Sequence, residues 1–138
     1  DKLLDVMWED VGVMRDADGL QRGLQRIDEI DDALSSTGVA ADNLAFNLSW
    51  HDWLNLRSLV DMSRVIAQSA LSRENSRGAH FREDHPDAGA MQDSYFTLAT
   101  GSDKNISVAR APVQFTIVKP GETLLGADEA ETLVGAAE

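Results

Sequence analysis

The chain has 138 residues, of which 43% are hydrophobic and 26% charged, and its 24 acidic and 12 basic residues give a net charge of −12. This composition is typical of one globular domain, and its acidity excludes nucleic acid and anionic membrane surfaces as partners, since both require a basic footprint. The sequence contains no apolar run near the roughly 20 residues that cross a bilayer, and the absence of cysteine excludes disulfides and thiolate-bound metal within these residues and fits a cytoplasmic protein.

Two amphipathic helices are predicted first. Apolar residues at helical spacing indicate a helix over about 1–11 that ends at Gly12. Because the sequence starts at Asp1 inside this pattern, we expect it to be a piece of a longer protein. Asp16 is a good N-cap for a second helix over about 17–36, whose apolar stripe runs from Leu20 to Leu34. The charge run on its other face, which includes Asp28 and Asp31, is interpreted as solvated.

A longer third helix is predicted over about 50–74. Ser49 and Asp52 form a capping-box pattern at its start. Its apolar positions cover more than one face, so we expect it to be buried at the centre of a three-helix bundle or array. Arg57 and Arg64, which are seven residues apart, are interpreted as its wet or interfacial side.

The pattern changes to short strands after Pro86. Strands are predicted near 95–98, 106–108 and 113–118, and Pro112 and Pro120 bracket the last of them. The fold class is therefore mainly α, with a small β-hairpin or three-strand region over about 95–118. We expect a helical domain over 1–86, a small β extension over 87–120 and a poorly ordered acidic tail over 121–138, with one short helix near 128–134.

Tests for known chemical motifs are negative. The glycines form no G-x-G pair, which excludes the dinucleotide fingerprint and the phosphate-binding P-loop, and no G-x-S-x-G occurs. Asp16-Ala17-Asp18-Gly19 begins like a calcium loop, but Leu20 and Ile27 stand where oxygen ligands are required. The sequence predicts no catalytic, cofactor-binding or metal-binding residue.

The densest polar segment is Ser76-Arg77-Gly78-Ala79-His80-Phe81-Arg82-Glu83-Asp84-His85-Pro86. Its guanidinium groups could clamp a carboxylate or phosphate, or pin a neighbouring domain. Alternatively, they satisfy carbonyls at the preceding helix end and the local acids, with Gly78 in the left-handed conformation that often follows a helix. Metal binding by His80, His85 and Asp84 is a further alternative.

Three blocks of the chain together resemble a known family. They are Met7-Trp8-Glu9-Asp10-Val11-Gly12-Val13-Met14-Arg15, then Asn55-Leu56-Arg57, and then residues 69–86 with their Ser-Arg-Gly-Ala-His core. Their order and spacing resemble the C-terminal domain of succinate dehydrogenase and fumarate reductase flavoprotein subunits, a domain type that L-aspartate oxidase shares. The match covers about residues 1–86 and is weaker over 95–138.

The resemblance implies a parent flavoenzyme that transfers hydride between a dicarboxylate and FAD. The cofactor would lie in a separate N-terminal domain, so this fragment would hold no cofactor and would be inert alone. The implied partners are that FAD-binding domain and an iron–sulfur subunit, and the implied location is cytoplasmic, at the inner face of a membrane through partner subunits. The residues expected to dock or shape the flavin domain are Arg73, Arg77, His80, Arg82 and Asp84.

Three alternatives remain open at this point. The chain could be an independent acidic protein-interaction module, the C-terminal domain of an L-aspartate oxidase, or a small metal-dependent enzyme that uses His80, His85 and Asp84.

Overall fold

The computed structural model describes residues 1–39, 43, 45–102 and 104–124. In chain order its elements are α1 (Lys2–Glu9), β1 (Met14–Arg15), α2 (Ala17–Thr37), α3 (Leu48–Ser72), β2 (Phe81–Arg82), a 3₁₀ turn (Met91–Asp93), β3 (Tyr95–Ser102) and β4 (Asn105–Pro112). A mainly α fold with a small β region is therefore confirmed. The short helix predicted near 128–134 lies outside the described residues.

The helix starts follow from their capping side chains. The carboxylate of Asp16 accepts a hydrogen bond from the Gly19 amide at 2.6 Å, so the predicted cap of α2 is confirmed. The cap of α3 is Asn47, whose side chain accepts from the Trp50 amide at 3.0 Å. The prediction of Ser49 as this cap was wrong, because Asn47 already satisfies the amide three residues on and Ser49 falls within the first helical turn.

The core forms where the three helices meet. Val6 of α1, Leu20 and Ile27 of α2, and Val60 and Ala67 of α3 are all almost fully buried. A Cβ atom at Gly23 would lie 3.0 Å from both Asp10 Cβ and Val11 Cγ2. Glycine at this position therefore allows α2 to approach the turn after α1 closely.

An ion-pair cluster joins α2 to α3 inside this core. Arg64 is 1% exposed, and its Nη2 lies 2.8 Å from Asp31 and 2.9 Å from Asp28. Of the two interpretations of Arg64, as a wet or as an interfacial residue of α3, the interfacial one is confirmed, because Arg64 binds Asp28 and Asp31 of α2. The solvated interpretation of Asp31 was wrong, since its side chain is also buried. Opposite charges on the two facing helices bind each other in place of water. The charge pattern of a single helix does not reveal such a partner on another helix.

One side of α3 is not covered by the residues that the structure describes. Leu59, Met62 and Ile66 recur at helical spacing and are all more than two-fifths exposed. The expectation that α3 is buried on more than one face is therefore wrong for the described residues. Nearer the start of α3, Trp50 and Trp53 stack with ring centroids 5.5 Å apart, and the Arg57 guanidinium lies 5.7 Å from the Trp53 ring.

Among the described residues after Pro86, the strands form one antiparallel hairpin. Tyr95 pairs with Pro112 and Ser102 with Asn105. The third strand predicted over 113–118 is wrong, since these residues belong to no strand. A third antiparallel strand would need a reversing turn after β4, but Val113 continues directly from Pro112 and its amide binds the Ser94 carbonyl at 2.9 Å.

A very short parallel pairing determines where the polar segment lies. β1 pairs with β2, with Met14 opposite Phe81 and Arg15 opposite Arg82. Two-residue strands have too little periodicity to be seen in a sequence. This pairing places residues 76–86 against the turn that follows α1.

Candidate functional site

Arg82 is the centre of the polar segment and is 1% exposed. Its Nη1 donates to the carbonyl oxygens of Ala70 and Leu71 at 3.1 Å and of Arg73 at 3.3 Å. These carbonyls belong to the end of α3, where the last turn of a helix lacks intrahelical donors. Arg82 thus satisfies the C-terminal end of α3, as one of the two sequence interpretations proposes.

Asp84 binds the other side of the same guanidinium. Arg82 donates from Nε to Oδ1 at 2.7 Å and from Nη2 to Oδ2 at 2.6 Å. Asp84 Oδ2 also accepts from the Ala17 amide at 3.0 Å, which is the first amide of α2. The hydrogen bonds from Arg82, helped by the Ala17 amide, hold the pKa of Asp84 well below its usual range. The pair therefore links the negative end of α3 to the positive end of α2.

His80 is held between two elements in its neutral form. Arg15 Nη1 lies 2.9 Å from His80 Nδ1, and since a guanidinium can only donate, Nδ1 must accept. His80 Nε2 faces the Arg73 carbonyl at 3.4 Å and therefore carries the proton. Burial lowers the pKa of His80, and the charges of Arg15, Arg73 and Arg82 lower it further against the opposing bond to that carbonyl.

Arg77 fixes the loop that leads to the hairpin. Its Nη1 donates to Ser94 Oγ at 2.9 Å, and its other nitrogens donate to the carbonyls of Ala88 and Ala90. Gly78 has a φ of 57°, in the left-handed region as predicted. It lies in the tight turn closed by Arg77 and His80, however, and not directly after the helix, which ends at Ser72.

Arg73 connects the end of α3 to the hairpin. Its guanidinium lies 5.1 Å from the centroid of the Tyr95 ring, and that of Arg110 lies 4.8 Å from the same ring. Arg110 also donates to the Ser72 carbonyl at 2.7 Å. Both guanidinium groups therefore lie within the distance at which a cation is attracted to an aromatic ring face.

The structure brings the five predicted residues together along one path from the end of α3 to the start of the hairpin. All five make contacts within the chain: Arg73, Arg77, His80, Arg82 and Asp84. Sequence reasoning missed Arg15 and Tyr95 as their partners. Arg15 closes the Met7–Arg15 block of the resemblance, and that was the one available signal for it. What the arrangement can do chemically is hold two helix ends, a turn and a loop in fixed positions.

The metal-binding alternative has no ligand set in the structure. Among residues 1–39, 43, 45–102 and 104–124, no group of three histidine, aspartate or glutamate side chains is placed to hold an ion. Asp84 is bound by Arg82, and His80 by Arg15. In the same described part of the chain, no helix has both the length and the apolar character to cross a membrane.

Comparison with known proteins defines the class first. The family model described as "Fumarate reductase flavoprotein C-term" matches residues 1–124. The chain is 30% identical over its whole length to the fumarate reductase flavoprotein subunit of Haemophilus influenzae, of which it covers 23%. It is 42% identical over 86 residues to L-aspartate oxidase 1 of Ralstonia nicotianae, which is 62% of this chain and 15% of that protein.

A solved structure has the same fold. The chain superposes on E. coli quinol fumarate reductase FrdA, determined as a single-residue variant, with a TM-score of 0.78. That match covers 88% of this chain and 21% of FrdA at 22% identity. The chain belongs to the family of C-terminal domains of FAD-dependent succinate dehydrogenase and fumarate reductase flavoprotein subunits. It spans between 15% and 23% of the length of these relatives.

Proposed function

We propose that this domain belongs to an FAD-dependent oxidoreductase that interconverts succinate and fumarate, and that it supports the flavin-binding domain without binding the cofactor itself. The observation that carries the proposal is the family match over residues 1–124. The missing G-x-G pattern supports a cofactor site outside this chain. The relatives are named as flavoprotein subunits and as members of a complex, which supports a further subunit as partner of the full-length protein. The family resemblance implies that this partner is an iron–sulfur subunit and that partner subunits bring the protein to a membrane.

In this proposal the Arg/His segment, defined as residues 73–84, shapes the docking surface. Arg82 and Asp84 hold the ends of α3 and α2 together, and His80 holds Arg15 of β1. Arg77 fixes the loop over 88–94. A segment whose side chains are fixed in this way holds the neighbouring elements in one arrangement, which reduces the entropy cost of docking.

The first experiment tests cofactor and reaction together. Full-length protein should be yellow, contain FAD and oxidise succinate with an artificial electron acceptor. The 138-residue chain, mixed with FAD and passed over a desalting column, should emerge colourless. A yellow complex with the 138-residue chain, or a full-length protein without flavin, would contradict the proposal.

The second experiment tests the shaping role. In the full-length protein, Arg77→Ala should lower FAD retention, because the loop that it fixes is released. Lys119→Ala is the matched control, since it also removes one cation from a position outside every helix and strand. Equal FAD retention in the two variants would mean that the segment has no part in docking.

L-aspartate oxidation is a second candidate reaction. It is favoured by the 42% identity over 86 residues to an L-aspartate oxidase. Assaying the full-length protein with L-aspartate and with succinate separates the two reactions, because only an aspartate oxidase should reduce its flavin with the amino acid. Flavin reduction by succinate alone would exclude this candidate.

A further inference from the structure

The outer side of α1 and the turn after it form an apolar surface, here called the α1 face and defined by Leu4, Trp8, Val13 and Met14. Trp8 is 81% exposed, and the others are all more than three-fifths exposed. Leu4 and Trp8 are four residues apart on one side of the helix, and they line a shallow depression of about 480 Å³. Exposed, clustered large apolar side chains of this kind mark interaction sites, and Trp is enriched where binding energy concentrates.

We infer that the FAD-binding domain of the same protein docks on the α1 face. The Arg/His segment holds this face in position and is not itself the docking surface. The inference rests on the proposed function, because it assumes that such a domain is present. The matched part makes up 23% of one relative and 15% of another, and the match is to their C-terminal part. In those relatives the rest of the protein therefore precedes the part that matches this chain.

The short length of α1 indicates that a further domain packs against this helix. The helix has eight residues, of which Leu3 and Val6 are buried against the other described residues. Isolated helices shorter than about 12 residues are marginal in water, so packing must stabilise α1. A domain that covers Leu4 and Trp8 would complete that packing from the opposite side.

The acidic residues around the α1 face indicate which kind of surface would bind there. Asp5 and Glu9 flank Trp8 in a chain of net charge −12. The complementary surface is therefore apolar at its centre and basic at its rim. Two contacts link the Arg/His segment to this face: Met14 pairs with Phe81 in the β1–β2 bridge, and Arg15 binds His80.

Methionine oxidation tests the face in the full-length protein. Met14, Met62 and Met91 are exposed to nearly equal extents in this chain, at 61%, 56% and 56%. They lie on the α1 face, on the outer side of α3 and before the hairpin. Each oxidation rate with hydrogen peroxide is measured by mass spectrometry and compared with the rate in the urea-denatured protein.

We expect Met14 to oxidise on the order of tenfold more slowly than in the denatured protein, because oxidation follows exposure. Met62 and Met91 should react at nearly the denatured rate. The double variant Leu4→Ser with Trp8→Ser should make Met14 reactive, whereas the matched pair Leu59→Ser with Met62→Ser on α3 should leave it protected.

Two results would overturn the inference. If Met14 reacts as quickly as in the denatured protein, the face is uncovered, and protection of Met62 instead would place the contact on α3. If protection of Met14 disappears on dilution, a second copy of the protein or a separate subunit covers the face. Flavin content and succinate oxidation, measured on the same sample, report on the proposed function separately, so its failure is distinguishable from an incorrect docking face.

Discussion

Replacing Arg82 is the sharpest test of the structural role of the polar segment. In Arg82→Met the side chain keeps an unbranched apolar stem and loses the guanidinium with its five hydrogen bonds, three to carbonyls at the end of α3 and two to Asp84. Removing one partner of a buried ion pair costs about 3–5 kcal/mol. The lower end, about 3 kcal/mol, is expected because the Asp84 side chain is 32% exposed and water can replace part of what it loses.

Urea unfolding followed by circular dichroism measures this loss, with the slope compared between variants to verify that the denatured states are alike. Arg82→Lys keeps the charge, but its single ammonium cannot bind three carbonyls and both carboxylate oxygens, so an intermediate loss is expected. Arg22→Ala, an exposed arginine that pairs with Asp10, is the control and should cost less than about 1 kcal/mol. A loss below about 1 kcal/mol in Arg82→Met would refute the reasoning.

The same linkage predicts an acid dependence. Since the folded pKa of Asp84 is lowered, its ion pair contributes its full stability above the unfolded pKa of about 4. That contribution is lost as the pH falls from there toward the folded pKa. Asp84→Asn should therefore lose less of its free energy of unfolding than the unmodified protein as the pH falls below about 4. An equal loss in the two proteins would contradict the ion pair between Arg82 and Asp84.

Three other perturbations follow from the same contacts. The pKa of His80 is lower in the folded state, so as the pH falls the unfolded state binds the proton first. The free energy of unfolding should therefore decrease as the pH drops below about 6.5. His80→Gln should make this decrease smaller, as measured by urea unfolding at a series of pH values. Arg64→Met leaves the buried Asp31 carboxylate without its cation and should lower the free energy of unfolding by about 3–5 kcal/mol. The double variant with Asp31→Leu should recover part of this loss. If it recovers nothing, the loss comes from packing and not from the unpaired charge. Gly78→Ala should cost about 1–2 kcal/mol in the same urea assay because of the positive φ, and Gly78→Asn less; equal costs would argue against a left-handed turn.

The helices were predictable because their signals are local. Asp16 caps α2 in the predicted way, and the apolar stripe from Leu20 to Leu34 faces the core. The exact start of α3 was missed because two polar residues, Asn47 and Ser49, could both act as caps, and only the backbone path decides between them. Boundaries are the least certain part of any such prediction for this reason.

The residues of the site could be predicted from the sequence, but their hydrogen-bond partners could not. The dense Arg/His segment indicated a cluster, and the helix-end interpretation of its arginines anticipated the bonds of Arg82 to α3. The bond between Arg15 and His80 joins residues 65 apart, and the bond between Asp84 and Ala17 joins residues 67 apart. No local pattern encodes such pairs, and for the same reason Asp31, which Arg64 binds in the interior, was interpreted as solvated.

The clasp formed by Arg82 and Asp84 also has a consequence for the order of events in folding. Its donors and acceptors become neighbours only after the end of α3 lies beside the start of α2. We therefore expect the clasp to close after the rate-limiting barrier has been crossed. Substitutions within it should then accelerate unfolding while leaving the refolding rate almost untouched, so that this short stretch governs how long the domain persists once formed.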